Sequence, residues 1–240
     1  RQMCIRDRRV HVHYPIVVDR VLGLGELPTL RLQRALNRRG AQSVEWRALD
    51  RVLVWAHWCW FIVPHGALVY IRVRDPGRFP RAAVMTYAVF NIGAGAYWVA
   101  PTAPPWYPAA VAAQNGEAGL TVRRMMVEYG ELFWRDGWGP LYSVFGGNPL
   151  AAMPSLHFAT SVMAAFLLTE VNPMAGALGF SYTATLGFAL VYLGEHYVVD
   201  LLAGAALTGA VRRLGPRAGP AVARLGRAVA ALEARAHEGS

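Results

Sequence analysis

His196 and Asp200 stand four residues apart in the run GEHYVVD (194–200), and His157 stands in AAMPSLHFA (151–159). At i and i+4 an imidazole and a carboxylate share one helical face. Asp200 can then accept the Nδ1–H of His196 and leave Nε2 free as a base or nucleophile. In the second motif Pro154 stops the incoming chain, Ser155 serves as an N-cap, and His157 falls in the first helical turn. A helix N-terminus offers free N–H groups and partial positive charge, which suits a bound phosphate. Alone, a histidine at a helix end is usually a cap or an interfacial group, and a His–Asp pair is more often structural. Two such features at one depth point to a site instead.

The other titratable groups read more plainly. Glu195 faces away from His196 and reads as an interfacial acid. His157, His196, Asp200 and Glu195 could ligate a metal by composition, but no tight spacing such as HExxH is present, so no metal and no cofactor is expected. His57 and His65 read as interhelical hydrogen-bonding residues, and His11, His13 and His237 as solvated ones.

Elements of a particular kind must hold these groups. The chain has 240 residues, 55% hydrophobic and only 16% charged, where soluble domains carry about 25% charged residues. Its mean hydropathy is +0.26. Disorder is excluded by the apolar content, and a disulfide scaffold by having only Cys4 and Cys59. Net charge is +9, and all 24 basic residues are Arg. They gather between apolar runs rather than in one stripe, which argues against nucleic acid and for a bilayer.

The expected fold is all-α, a polytopic membrane helical bundle with interfacial helices. Five spans are predicted: 52–71, with a kink at Pro64; 82–100; 155–171; 175–194; and 197–211, extendable to Leu214. Residues 1–51 form an interfacial N-terminal segment with a semi-amphipathic stretch at Leu27–Leu36. Residues 52–214 form the catalytic domain, and 215–240 a basic tail forming a surface helix. The long connection 101–153 begins with PTAPPWYP, which cannot be helical throughout. A connection of that length is often functional, and Trp106 and Tyr107 could line a lipid entrance.

Span counting makes the third and fifth spans parallel, so His157 and His196 start at the same membrane face. The opposite face carries Arg72, Arg74, Arg78 and Arg81 and the six Arg of residues 212–240. The positive-inside rule places that face in the cytoplasm and the two histidines outside; the membrane is expected to be a bacterial plasma membrane. The 11 Arg of residues 1–51 conflict with this. A first span upstream of residue 1, completing a six-span core, would remove the conflict.

At these residues the chain resembles the type 2 phosphatidic acid phosphatase (PAP2) superfamily, which also contains vanadium haloperoxidases. PSLH at 154–157 is similar to the PSGH-type motif of that family, and His196-x-x-x-Asp200 to the end of its third motif. PTAPPWY and AAMPSLHFA are more similar to the branch of inositol-phosphorylceramide synthases, the inositolphosphotransferase-like members. The resemblance covers roughly residues 82–211. Two departures stand out. Leu190 occupies the place of a motif arginine, and Tyr97-Trp98-Val99-Ala100 precedes Pro101 where the family has Lys and Arg. Another arginine must therefore hold the phosphate, and Arg123, Arg124 and Arg135 are candidates on the correct face.

The resemblance implies a metal-independent phosphoric ester hydrolase or phosphotransferase acting on a lipid phosphate. His196 would be the nucleophile, Asp200 its orienting partner and His157 the general acid. Ser155 and nearby helix N–H groups would hold phosphate oxygens. Trp106, Tyr107 and Asn148 would shape a pocket for the acceptor or head group. Transfer of a phosphorylated head group such as phosphoinositol is favoured over hydrolysis of a polyprenyl (di)phosphate. A reading of another class is a membrane transporter or structural protein with an intramembrane His/Asp relay.

Overall fold

The computed structural model describes residues 10–36, 47–108, 122–139, 148 and 150–238. The opening RQMCIRDRR, the 109–121 and 140–147 parts of the long connection, and Pro149 lie outside these described residues. The architecture is all-helical, as expected. We label the helices α1 (His13–Leu22), α2 (Pro28–Leu36), α3 (Ala48–Trp58), α4 (Val63–Arg74), α5 (Phe79–Val99), α6 (Met125–Trp134), α7 (Leu156–Val171), α8 (Pro173–Tyr192) and α9 (Val198–Glu238).

The centre of the bundle is α7, against which α4, α5, α8 and α9 pack. Its sequence explains that place. The helix is apolar all round, with Ala159, Met163, Ala164, Ala165 and Leu167 buried, and such a helix belongs inside rather than at a surface. Its own hydroxyls bond back to the helix, Thr160 Oγ1 donating to Leu156 O and Ser161 Oγ to His157 O at 2.8 Å each, while neighbours bond to it: Thr208 Oγ1 of α9 donates to Ala159 O at 2.7 Å and Trp60 Nε1 to Thr160 Oγ1 at 2.9 Å. Outward-facing residues of the flanking helices are also apolar, among them Val84, Ile92 and Trp98 of α5 and Met174 and Leu178 of α8. Apolar side chains on the outer face are what lipid requires.

The five expected spans are not all single long apolar helices among the described residues. By length and apolarity α5 and α8 qualify, and α3 with α4 makes a third if counted as one bent pair. The expected first span is not one helix. A 3-10 turn at Cys59–Phe61 separates α3 from α4, and the pair is bent by 57°. Pro64 therefore does not kink a continuous helix. It sits in the first turn of a new one, where its missing N–H costs nothing. The helix α7 has only 16 residues, about 24 Å at 1.5 Å per residue. The expected stop at Arg212–Arg213 is absent, and α9, 41 residues long in all, runs on to Glu238.

At the arginine-rich end of α7, Glu170 holds Arg81 at 2.5 Å and Arg212 at 3.1 Å, pinning α5 and α9 to α7. The chemistry-bearing residues gather at the other end. There α2 packs on α8, and Gln33 donates to Tyr192 O and Arg123 O, each at 2.9 Å. Segment 101–103 runs beside the α7 N-terminus, bridged in parallel to His11 and to Ala151 through Thr102.

Candidate active site

The start of α7 is built as the motif suggests. Ser155 is the N-cap, and its Oγ accepts the Phe158 N–H at 3.3 Å. The Ser155 N–H donates to Asp200 O at 3.0 Å, which ties the start of α7 to the first turn of α9. Gly204 allows this approach, because a Cβ there would lie 2.6 Å from Ser155 O. Tyr97 of α5 adds a third anchor, donating its hydroxyl to Pro154 O at 2.7 Å.

His196 is delivered by a tight turn after α8. Gly194 has φ +84, and both Glu195 N–H and His196 N–H donate to Leu190 O at 3.0 Å. A Cβ at Gly194 would also meet Arg123 O at 2.5 Å, so the turn needs glycine on two counts. Asp200, fully buried, turns back on its own helix: Oδ2 accepts the Tyr197 N–H at 2.9 Å and lies 3.3 Å from His196 Nδ1. His196 Nε2 lies 3.3 Å from His157 Nδ1. The three residues thus form one line, Asp200–His196–His157.

A second buried carboxylate serves the same helix. Asp19 of α1 accepts Val198 N–H at 3.0 Å and Val199 N–H at 2.9 Å, capping α9 from outside. Burial raises its carboxyl above the ordinary range, and the two N–H bonds act in the opposite direction.

The line of three opens on a cavity of about 620 Å³ lined by both histidines. Its walls are aromatic: Trp55, Trp58, Trp60, Trp106, Trp134 and Trp138 all contribute, and Tyr97 and Leu156 close one side. The His157 ring lies 4.1 Å from the Trp60 ring and 4.9 Å from the His57 ring, centroid to centroid. Polar groups in the wall are few. They include Arg124, Glu195, Asn148 and His57.

Sequence-predicted residues divide clearly here. His157, His196 and Asp200 are brought together. Arg124 lines the cavity, with Nε at 3.0 Å and Nη2 at 3.3 Å from the two oxygens of Glu195, and with its guanidinium 3.9 Å from the Trp106 ring centroid. Trp106 and Asn148 also line it, and the Asn148 side chain accepts Leu150 N–H at 3.0 Å. Arg123 is tied to Glu128 and does not reach the wall. Arg135 is exposed on a 3-10 turn beyond α6, and Tyr107 and Ser155 are likewise outside the lining. Ser155 is buried with its hydroxyl committed to the cap, so its contact with the site runs through the helix it starts.

Sequence reasoning missed His57, Trp60, Glu195 and Asp19 as parts of this region. For His57 a signal existed: an ionisable group inside an apolar helix is by default a functional candidate. Asp19 gave none, since its partner is 179 positions away. Among the described residues, no group of three or more His, Cys, Asp or Glu side chains could hold a metal ion. Glu195 turns to Arg124 rather than towards the histidines.

A family model described as the PAP2 superfamily matches residues 28–214. The inositol phosphorylceramide synthase catalytic subunit of Schizosaccharomyces pombe is 31% identical over 140 residues, 55% of this chain and 31% of that protein. The phosphoinositol dihydroceramide synthase of Bacteroides thetaiotaomicron is 29% identical over 153 residues, 61% of this chain and 48% of that protein. The inositol phosphorylceramide synthase of Candida albicans is 30% identical over 115 residues, 45% of this chain and 23% of that protein. The chain thus spans between about a quarter and a half of the length of these curated relatives. No solved structure matches significantly.

Proposed function

We propose a function from one premise: the chain belongs to the PAP2 superfamily, whose model covers most of its length. Its apolar helices make it a membrane protein. The reading it supports best is a lipid phosphotransferase that passes a phosphorylated head group, such as phosphoinositol, from a donor lipid to a lipid hydroxyl. The relatives' names carry that choice of head group. The observation that carries the chemistry is the line Asp200–His196–His157 at the wall of an aromatic cavity.

The mechanism follows from the order of the three groups. Asp200 accepts the Nδ1–H of His196, so the Nε2 lone pair attacks phosphorus. The P–N bond forms as the bond to the donor's leaving oxygen breaks. Protonated His157 gives its proton to that oxygen, and Asp200 stabilises the positive charge left on His196. In the second half the acceptor hydroxyl attacks phosphorus, neutral His157 takes its proton, and the P–N electrons return to His196. The P–N adduct divides one displacement into two, and Arg124 together with helix N–H groups supplies positive charge for the phosphoryl oxygens. The two imidazoles are in contact without substrate, so they must part for phosphorus to sit between them.

Trp-rich walls suit acyl chains and exclude water, which favours transfer over hydrolysis. The site lies at the end of α7 opposite Glu170 and its arginines. With the arginine-rich end in the cytoplasm, the site faces the extracytoplasmic side of the membrane.

The test is incubation of purified protein with inositol phospholipids, other lipid phosphates and lipid-alcohol acceptors in EDTA, with products read by mass spectrometry. The expected product is an acceptor lipid carrying the phosphorylated head group. Release of free phosphate alone would make the enzyme a phosphatase. No product from any donor would leave the His/Asp line as a relay or structural contact.

A further inference from the structure

The first turn of α9 carries Asp200, yet the groups that cap it come from far away. Helix N-termini leave their first N–H groups without helical partners. Val198 and Val199 are the first two residues of α9, and each gives its N–H to one oxygen of the Asp19 carboxylate, at 3.0 and 2.9 Å. Asp19 is fully buried and sits on a helix whose opposite face, Val17, Val18 and Val21, is exposed. The helix cannot slide away freely. His11 pairs with Pro101 and Ala103 through its backbone, and the Tyr14 hydroxyl is 3.1 Å from Thr102 Oγ1. Those partners belong to the segment running beside the start of α7.

One carboxylate therefore fixes the turn from which a second carboxylate works. Asp200 Oδ2 accepts the Tyr197 N–H and faces His196 Nδ1, so rotation or fraying of that turn would misplace both the orienting acid and the imidazole it holds. Asp19 also precedes residue 28, where the family match begins. We propose that Asp19 is a positioning residue for the reaction: it caps α9 from α1 and so sets the orientation of Asp200 and His196. This rests on the reading of His196 as the nucleophile.

The test uses the full chain in lipid nanodiscs, comparing wild type, D19N and D19A, with V21A on the exposed face of α1 as control. Two readouts are taken: head-group transfer with kcat and KM separated, and hydrogen exchange of the peptide spanning 196–201. The expected result for D19A is a fall in kcat of about 10- to 100-fold, the scale of a small misplacement of reacting groups. KM stays unchanged and exchange at 198 and 199 accelerates. D19N keeps one carbonyl acceptor and falls between, while V21A matches wild type. Should D19A fail to fold, D19N carries the comparison. Wild-type kcat in the Asp19 variants overturns the proposal, and so does a loss of kcat with exchange at 198 and 199 unchanged. Absence of turnover in the wild-type protein overturns the phosphotransferase reading and the proposal together, whereas an active wild type with indifferent variants overturns the proposal alone.

Discussion

His196 Nε2 and His157 Nδ1 lie 3.3 Å apart across 39 positions of sequence. That contact joins the start of α7 to the turn before α9, and it puts one imidazole where it can serve the other. Behind it, Asp200 occupies the far nitrogen of His196. The asymmetry supports the proposed roles, with the histidine that has the carboxylate as nucleophile and the one without as proton carrier.

Substitution of these three should therefore give unequal losses. H196A is expected to abolish turnover, because the P–N bond has no other partner. H157A should lower kcat by about 10²–10⁴-fold, the usual worth of a general acid. D200N should lower it by allowing the wrong tautomer. Groups acting as one unit are not additive, so H157A/H196A should be no worse than H196A alone. Acid-labile labelling by a phosphate-labelled donor checks the order, and label on H196A would remove His196 from the nucleophile's role.

Arg124 should be the arginine that holds the phosphate. It lines the cavity and is held by Glu195 one residue from His196. A phosphate entering there competes with the Glu195 carboxylate for a two-pronged donor. R124A is expected to raise KM for the donor by about 10- to 100-fold, the worth of one or two charged hydrogen bonds. R124K should recover only part, since an ammonium lacks the fork. R135A should leave KM unchanged, because Arg135 is exposed and outside the cavity wall. Equal effects of R124A and R135A in a steady-state assay would refute the assignment.

The two halves of the Asp200–His196–His157 line were legible because each is local. His196 and Asp200 are fixed by a four-residue spacing, and Ser155 and His157 by the chemistry of a helix start. Their meeting followed from parallel helices. The break at Cys59–Phe61 was less legible: Pro64 announced a disruption, but the helix restarts around it instead of bending through it. Partners set by tertiary packing were not legible at all. Asp19 reaches Val198, and Gln33 reaches Tyr192, through contacts that no periodicity encodes. Glu195 showed only that it faces away from His196, not that Arg124 waits there.

Gly204 should tolerate no side chain. An added Cβ would come within 2.6 Å of Ser155 O, a backbone atom that cannot step aside. G204A must push α9 from α7, stretching the Ser155 N–H to Asp200 O bond that holds the two motifs in register. Overpacking of this kind costs about 1–3 kcal/mol. Thermal unfolding in detergent should show the loss, with kcat reduced in parallel. A G204A protein as stable and active as wild type would show that the two helix starts are not rigidly coupled.

His57 should act as a wall, not as a proton carrier. Its ring lies 4.9 Å from the His157 ring at an angle of 33°, while Trp60 approaches the same ring to 4.1 Å. His157 is thus held by two neighbouring rings while its Nδ1 meets His196. The Nδ1 of His57 itself is buried without a hydrogen-bond partner, so that nitrogen carries a desolvation cost of about 1–3 kcal/mol. Phenylalanine keeps a flat ring in the same place, and the adjoining cavity of about 620 Å³ has room for its extra volume. H57F should therefore be at least as stable as wild type and keep most of kcat. H57A removes the wall, frees His157 to turn, and should lose kcat with little change in donor KM. Measured side by side, a stable H57F that has lost turnover would overturn this account and place His57 among the groups that move the proton.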